Sequence, residues 1–203
     1  MTRISSLPHV LPSVVKAAAL AAFAVLAVLP VPATAEDGRE VTAYDFTFDM
    51  PYGAPLALKD FAGKAVLVVN TATECGFSGQ LAGLQQLHES YGEKGLVVIG
   101  VPSNDFDGQE PRADGEIARY CEAKYGAEFL LTAKTSVRGK EAHPFYRWAA
   151  ETLGPAARPN WNFHKYLIGP EGRIAAWFPT PVPPNAPAVT GEIEALLTAG
   201  HTN

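Results

Sequence analysis

Two short, continuous apolar runs constrain the fold more than any other feature of the sequence. They cover residues 64–70 (KAVLVVN) and 96–101 (LVVIGV), and each has the pattern of a strand buried in a sheet. Between them, residues 79–91 carry apolar side chains at helical spacing, which predicts an amphipathic helix. Strand, helix and strand in this order predict a parallel, right-handed crossover.

Weaker patterns place further elements around this unit. The alternation in residues 42–50 (TAYDFTFDM) predicts a strand of an N-terminal β-hairpin, and residues 129–132 predict a short strand. Residues 166–168 and 173–178 flank a Gly-Pro-Glu-Gly turn and predict a second hairpin. Three more helices are predicted, over residues 114–125, 144–153 and 188–199. Together these patterns predict an α/β domain with a central mixed β-sheet and helices on both faces.

The first 35 residues have the order of a secretory signal peptide. They lack Asp and Glu, carry two basic residues, continue with an apolar run over residues 17–29 and end on Ala33-Thr34-Ala35. The apolar run is shorter than the about 20 residues of a membrane span, so a retained membrane anchor is the weaker alternative. The sequence therefore predicts cleavage after Ala35, export to the periplasm or the exterior, and one domain over residues 36–203.

The composition excludes several classes of protein. Hydrophobic side chains make up 47% of the 203 residues and charged ones 18%, which is enough apolar material for a core. The net charge is −5 and the sequence has no run of Lys or Arg, so nucleic acid is not an expected partner. Two cysteines are too few for a cysteine-rich zinc site. The histidines show no ligand spacing, and we expect no metal site.

Cys75 lies between the predicted strand and the predicted helix. Backbone N–H groups and the dipole at a helix start favour a thiolate, and Gly76 permits close approach of the backbone. Ser78 stands where a two-cysteine exchange motif has its second cysteine, which excludes C-x-x-C chemistry. A single thiolate can still attack a peroxide oxygen and become a sulfenic acid. The alternative is that Cys75 is an inert, buried side chain.

Three separate motifs resemble those of the glutathione peroxidase family. Residues 70–78 (NTATECGFS) are similar to its peroxidatic-cysteine motif, and residues 101–111 (VPSNDFDGQEP) to the motif around its active-site glutamine. Residues 161–166 (WNFHKY) resemble the motif that supplies a tryptophan and an asparagine, and the likeness covers about residues 41–197. The resemblance implies a thioredoxin-like fold. It also implies a thiol peroxidase that reduces hydrogen peroxide and organic or lipid hydroperoxides without a metal or organic cofactor.

The resemblance also implies a role for individual residues. Cys75 matches the peroxidatic cysteine, and Gln109, Trp161 and Asn162 match the other three members of the family's catalytic tetrad. The side chains of these three are neutral N–H donors, which can stabilise a thiolate and the charge that develops on a departing oxygen. The alternatives are a core aromatic for Trp161 and loop-bracing amides for the other two. We expect Asn70 and Phe163 to support or pack around these residues.

The second cysteine bears on how such an enzyme is reduced again. Cys121 lies on the predicted helix over residues 114–125, near the sequence position of the resolving cysteine in some members of the family. Those members form an internal disulfide that thioredoxin-like proteins reduce, whereas other members use glutathione directly. Three possibilities stay open for Cys121: a resolving thiol, a partner of Cys75 in a permanent disulfide, and an inert helix residue.

The sequence departs from the family pattern at several points. Ser103 stands where many relatives have a cysteine, and Asp105, which adds charge near the site, stands where they have a glutamine. The connection over residues 154–160 is short, which resembles the monomeric type with an open active site. We see no basic cluster for the carboxylates of glutathione, and the acidic net charge disfavours that anionic thiol further. The alternative function is a redox sensor that passes oxidation from Cys75 to a partner's thiol.

Overall fold

The computed structural model describes residues 38–200, so the predicted signal peptide lies outside the described residues. A five-stranded sheet forms the centre of this part of the chain, and a two-stranded hairpin precedes it. The hairpin strands are β1 (Thr47–Phe48) and β2 (Leu56–Ala57). The sheet strands are β3 (Ala65–Thr71), β4 (Leu96–Pro102), β5 (Leu130–Leu131), β6 (Lys165–Ile168) and β7 (Ile174–Phe178). The described α-helices are α1 (Gln80–Tyr91), α2 (Asp114–Tyr125), α3 (Pro144–Leu153) and α4 (Pro187–Gly200).

The strands of the sheet lie in the order β5-β4-β3-β6-β7. β3 pairs with β4 in parallel, and β4 pairs with β5 in parallel. β6 runs antiparallel to both β3 and β7. The predicted mixed sheet, the parallel pairing across the β3-α1-β4 crossover and the C-terminal hairpin are therefore confirmed.

Alternate residues of β3 face two different cores. Leu67 and Val69 belong to a core that includes residues of α1, α2 and α4, whereas Val66 and Val68 belong to one that includes α3 and the N-terminal hairpin. All seven residues of β3 are buried, as the continuous apolar run predicts for a strand covered on both faces. Within residues 38–200, no helix combines the length and the apolar character that a bilayer crossing requires.

The first strand is shorter than predicted. Within residues 42–50, only β1 pairs as a strand, and Ala43–Asp45 form a 3-10 helix instead. The Asp45 carboxylate accepts a hydrogen bond from the backbone N–H of Thr42 over 2.9 Å. Such a local bond from backbone to side chain competes with strand pairing. The predicted strand over residues 42–50 is therefore wrong in its extent, although the hairpin itself is present.

The topology brings the motifs to one edge of the sheet. β3 and β4 are parallel, so the loops that follow them leave from the same edge, and the antiparallel β6 begins there. The loop after β3 carries Cys75, the loop after β4 carries Gln109, and the turn before β6 carries Trp161 and Asn162.

Candidate active site

Cys75 lies in the turn between β3 and α1. Its side chain is 3% exposed, and the backbone N–H of Phe77 donates to its Sγ over 3.4 Å. A tight turn, in which the Ser78 N–H donates to the Cys75 carbonyl over 2.9 Å, leads from the cysteine into the helix. A backbone donor at the sulfur and the positive end of a helix dipole both stabilise a thiolate.

The side-chain amides of Gln109 and Asn162 form a pair. Asn162 Nδ2 donates to Gln109 Oε1 over 3.0 Å, which leaves the Gln109 amino group available as a donor to another group. Asn162 is fully buried, and its Oδ1 has no hydrogen-bond partner within residues 38–200. The pair thus presents an oriented donor group together with a buried acceptor.

Hydrogen bonds hold the loop of Gln109 against the loop of Cys75. The backbone N–H of Glu74 donates to the Gln109 carbonyl over 3.0 Å. The next residue, Glu110, is fully buried and accepts from the backbone N–H and the hydroxyl of Thr73 over 2.8 and 2.7 Å. Burial raises the pKa of Glu110 and outweighs these hydrogen bonds, which lower it. The two loops are therefore tied at the residues that flank Cys75 and Gln109.

Trp161 packs against the loop that carries Gln109. Its ring centroid lies 5.6 Å from that of Phe106. Asn70 Nδ2 donates to the Trp161 carbonyl over 3.1 Å, and Asn70 Oδ1 accepts from the backbone N–H of His164 over 3.0 Å. The buried Asn70 side chain thus fixes both ends of the turn that carries Trp161, so it supports the candidate catalytic residues through the backbone.

A partly apolar cavity of about 310 Å³ lies beside these residues. Its walls include the side chains of Phe77, Trp161 and Trp177, together with two prolines of the loop after β7. The Phe77 side chain is 42% exposed, and its backbone N–H contacts the sulfur of Cys75. The cavity therefore lies beside the turn that carries Cys75, and its lining suits an apolar organic group.

Sequence reasoning missed Thr180, which braces this region. Its hydroxyl donates to the Asn162 carbonyl over 2.7 Å, and its own carbonyl accepts from Gln80 Nε2 over 2.7 Å. Thr180 also lines the apolar cavity. It lies in a proline-rich loop that matches none of the three motifs, and only a hydroxyl between prolines marks it in the sequence.

Comparison with known proteins places this geometry in a family. A sequence profile described as glutathione peroxidase matches residues 43–150. The hydroperoxy fatty acid reductase gpx1 of Synechocystis sp. is 39% identical over 164 residues, which cover 77% of this chain and 96% of that one. A glutathione peroxidase of Lactococcus lactis is 37% identical over 156 residues, covering 76% and 98%. The crystal structure of Trgpx in apo form has a TM-score of 0.63 at 27% identity, covering 78% of this chain and 96% of that one.

The chain belongs to the glutathione peroxidase family. It is a peroxidase, an oxidoreductase whose relatives support a thiol-dependent reaction with hydroperoxides. Its fold is thioredoxin-like, with a mixed central sheet flanked by helices. The family and the fold that the three motifs implied are therefore confirmed.

In this glutathione peroxidase family member, Cys121 is 1% exposed and lies on α2, in the same core as Cys75. Both cysteines are free thiols, so the permanent disulfide between them is not present in this structure. Burial, and to a smaller extent the negative charge of Glu110, raise the pKa of the Cys121 thiol to about 12. A thiol in this environment stays protonated at neutral pH and is unreactive until its surroundings change.

Asp105, a departure from the family pattern, organises a neighbouring loop. Its Oδ2 accepts from the backbone N–H groups of Val137 and Arg138 over 2.6 and 3.1 Å, and from the Ser136 hydroxyl over 3.0 Å. One carboxylate oxygen therefore fixes three consecutive residues beside the loop of Gln109. The charge expected near the site is present, and it serves as a loop anchor.

The third motif contains two buried titratable side chains, His164 and Lys165. His164 stacks on Trp177 with ring centroids 5.4 Å apart, and burial, then the charge of Lys165, lower its pKa to about 4. Lys165 is fully buried and donates from Nζ to the Phe163 carbonyl over 2.6 Å, and burial lowers its pKa to about 7. Within residues 38–200, no three His, Cys, Asp or Glu side chains are grouped so that they could share a metal ion.

Proposed function

We propose that this protein reduces hydrogen peroxide and organic hydroperoxides, including lipid hydroperoxides, at Cys75. The observation that carries the proposal is the hydrogen bond from the Phe77 N–H to the Cys75 sulfur at the start of α1. The loops of the Gln109–Asn162 amide pair are tied to the same turn. The nucleophilic form of a cysteine is its thiolate, and a backbone donor at the sulfur favours that form.

In the first step, the Cys75 thiolate attacks the O–O bond of the hydroperoxide. An S–O bond forms while the O–O bond breaks, and the sulfur loses two electrons and becomes a sulfenic acid. The second oxygen takes up a proton and leaves as water or as an alcohol. The Gln109 amino group and the Trp161 indole N–H would donate to this oxygen as its charge develops. Asn162 would hold Gln109 in the orientation that presents its donors.

In the second step, a thiol attacks the sulfenic sulfur, a disulfide forms and water leaves. A second thiol then reduces that disulfide and restores Cys75. A thioredoxin-like protein or glutathione would supply these thiols, and Cys121 would be the first of them if it acts as a resolving cysteine. Each step uses only protein groups and thiols, so the proposal includes no metal or organic cofactor.

The apolar cavity supports organic hydroperoxides as substrates. Phe77 and Trp161, which line it, belong to the turns that carry the candidate catalytic residues. The Synechocystis relative is named a hydroperoxy fatty acid reductase, which supports the same class of substrate here. We further propose that the protein acts in the periplasm or outside the cell, because residues 1–35 have the order of a signal peptide.

Stopped-flow mixing of the reduced protein with hydrogen peroxide tests the proposal. We expect rapid loss of one thiol in the unmutated protein and no rapid loss in Cys75→Ser. Cys121→Ser is the matched control, since it removes the other thiol and should leave the first step unchanged. Persistence of fast peroxide consumption in Cys75→Ser would show that another group reacts and would refute the proposal. Turnover assays of Cys121→Ser with a thioredoxin-like protein and with glutathione then separate the two reductants.

A further inference from the structure

Within residues 38–200, a second cavity of about 560 Å³ is lined by four basic residues. They come from the loop before α3, from α3 itself and from the connection that follows it: Arg138, Lys140, Arg147 and Arg158. Glu151 is the acidic residue among the lining residues, so the four basic side chains outnumber it. This cationic cavity therefore carries net positive charge, although the net charge of the whole chain is −5. The sequence has no run of Lys or Arg, and these four cations come together because the fold joins residues that the sequence separates.

The cations of this cavity have no acidic partners in the described chain. The ion pairs within residues 38–200 involve three other arginines: Arg39, Arg112 and Arg173. Arg138 instead lies 5.3 Å from the ring centroid of Phe106, and Arg147 donates to the Ala142 carbonyl. Unpaired cations around one concave surface attract an anionic ligand.

Tyr146 forms part of the inner wall of the cationic cavity. This residue lines the cavity and is 2% exposed. Its hydroxyl is buried and has no hydrogen-bond partner within residues 38–200. Buried polar groups are nearly always hydrogen-bonded, because an unmade bond costs about 1–3 kcal/mol.

The cationic cavity is connected to the candidate active site. Asn160 lines both this cavity and the apolar cavity, and it directly precedes Trp161. A second connection runs through Phe106, which contacts Arg138 on one side and Trp161 on the other. The Asp105 carboxylate accepts a hydrogen bond from the backbone N–H of Arg138 over 3.1 Å, which fixes that part of the backbone. The two cavities therefore share a wall residue, and their linings match the two ends of a ligand with one anionic group and one apolar part.

We propose that the cationic cavity binds the carboxylate of a hydroperoxy fatty acid whose acyl chain lies in the apolar cavity. This proposal rests on the proposed peroxidase function and adds a site for the charged end of the substrate. The planar guanidinium groups of arginines match a carboxylate with paired hydrogen bonds. Glutathione also carries carboxylates, but it has no long apolar chain for the second cavity, and the test separates the two ligands.

The test is the single-turnover oxidation of the reduced full-length protein, measured by stopped flow without any added thiol. Three oxidants are compared: linoleic acid hydroperoxide, its methyl ester and hydrogen peroxide. The double variant Lys140→Gln/Arg158→Gln removes two exposed cations of the cavity. The matched control Lys64→Gln/Arg119→Gln makes the same change in charge at exposed positions outside it.

With the fatty acid hydroperoxide, we expect the cavity variant to be oxidised about three- to tenfold more slowly than the unmutated protein. Its rates with the ester and with hydrogen peroxide should be unchanged, as should all three rates of the control. Added salt should slow the reaction with the acid in the unmutated protein more than in the cavity variant.

Two results would overturn the proposed site: equal losses with the acid and the ester, or an equal loss in the control. A third would be an unchanged rate with the acid. In that case, slower reduction of the oxidised cavity variant by glutathione, added in a separate mixing step, would assign the cavity to the thiol. Failure of the unmutated protein to react with hydrogen peroxide would instead overturn the proposed function itself.

Discussion

At the scale of single residues, the bond from Asn162 Nδ2 to Gln109 Oε1 gives the two amides unequal tasks. The Gln109 oxygen is used by its neighbour, so its amino group is the part that can reach a reacting oxygen. Asn162 is fully buried and is anchored through its carbonyl by the Thr180 hydroxyl. We therefore interpret Asn162 as the residue that orients and Gln109 as the residue that donates.

Gln109→Glu separates these two tasks. The carboxylate keeps an acceptor for Asn162 Nδ2 but removes the N–H donors and adds negative charge near the sulfur. We expect the rate constant for oxidation of Cys75 by hydrogen peroxide to fall about a hundredfold, the usual effect of losing one preorganised donor. Stopped-flow measurements give the rate, and circular dichroism checks the fold. A rate within about twofold of the unmutated protein would exclude Gln109 as a donor in this step.

His164 makes the stability of the fold depend on pH. Its pKa is about 4 in the folded protein, below the ordinary value of 6.5, so the unfolded chain binds the proton more tightly. The free energy of unfolding is therefore greatest above pH 6.5 and falls as the pH drops towards 4. His164 accounts for about 3 kcal/mol of this fall. Urea unfolding at several pH values measures the fall, and His164→Phe, which can keep the stacking on Trp177, should reduce it. An equal fall in His164→Phe would contradict this origin.

At the scale of elements, α2 holds Cys121 inside the core that also contains Cys75. The helix ends at Tyr125, and the capping residue Gly126 has a left-handed φ of 64°. The Ala127 N–H that follows donates to the Cys121 carbonyl itself over 3.3 Å. A disulfide with Cys75 requires its two Cα atoms within about 7 Å and suitably directed side chains. Because the Cys121 side chain is 1% exposed, we expect that this end of α2 must open before its thiol can reach the sulfenic acid of Cys75.

Gly126→Ala tests that inference. A side chain at a left-handed φ costs about 1 kcal/mol, whereas nothing within 4 Å obstructs the added methyl group. If Cys121 is the resolving thiol, the weakened helix end should speed formation of the Cys75–Cys121 disulfide up to about fivefold after a peroxide pulse. Acid quenching and mass spectrometry measure the disulfide. Gly191→Ala, at an open position of α4 with an ordinary φ, is the control. An unchanged rate in Gly126→Ala would show that the opening of α2 does not limit the step.

The elements also show which parts of the fold the sequence predicts and which it does not. β3 and β4 were predictable because burial on both faces requires a continuous apolar run, and α1 because one buried face requires helical spacing. The segment before β1 was not, because one Asp45 hydrogen bond replaces strand pairing there. Such a bond depends on side-chain geometry, which the alternation of apolar residues does not record.

At the scale of the whole molecule, the motifs placed the candidate catalytic residues but not their surroundings. Cys75, Gln109 and Trp161 lie in motifs, and the topology brings all three to one edge of the sheet. The cationic cavity could not be predicted, because its residues are spaced over positions 138–158 and join only when α3 packs on the sheet. The net charge of the whole sequence is negative, so it gives no sign of the positive charge in this cavity.

The connection between α3 and Trp161 bears on the assembly of the whole molecule. Residues of this segment, 154–160, line both cavities: Arg158 in the cationic one, Ala156 in the apolar one and Asn160 in both. A second subunit packed against the segment would cover the two cavities and exclude a bulky hydroperoxide. We therefore predict that the protein is a monomer, as the short connection suggested.

Sedimentation velocity of the protein without residues 1–35 measures this directly. We expect the mass of one chain over about a hundredfold range of concentration, because a dimer in equilibrium would dissociate on dilution. The rate of lipid hydroperoxide reduction per chain should stay constant over the same range, since no site would be covered or released. A concentration-dependent mass, together with a rate per chain that rises on dilution, would show that subunits associate through this segment and close the cavities.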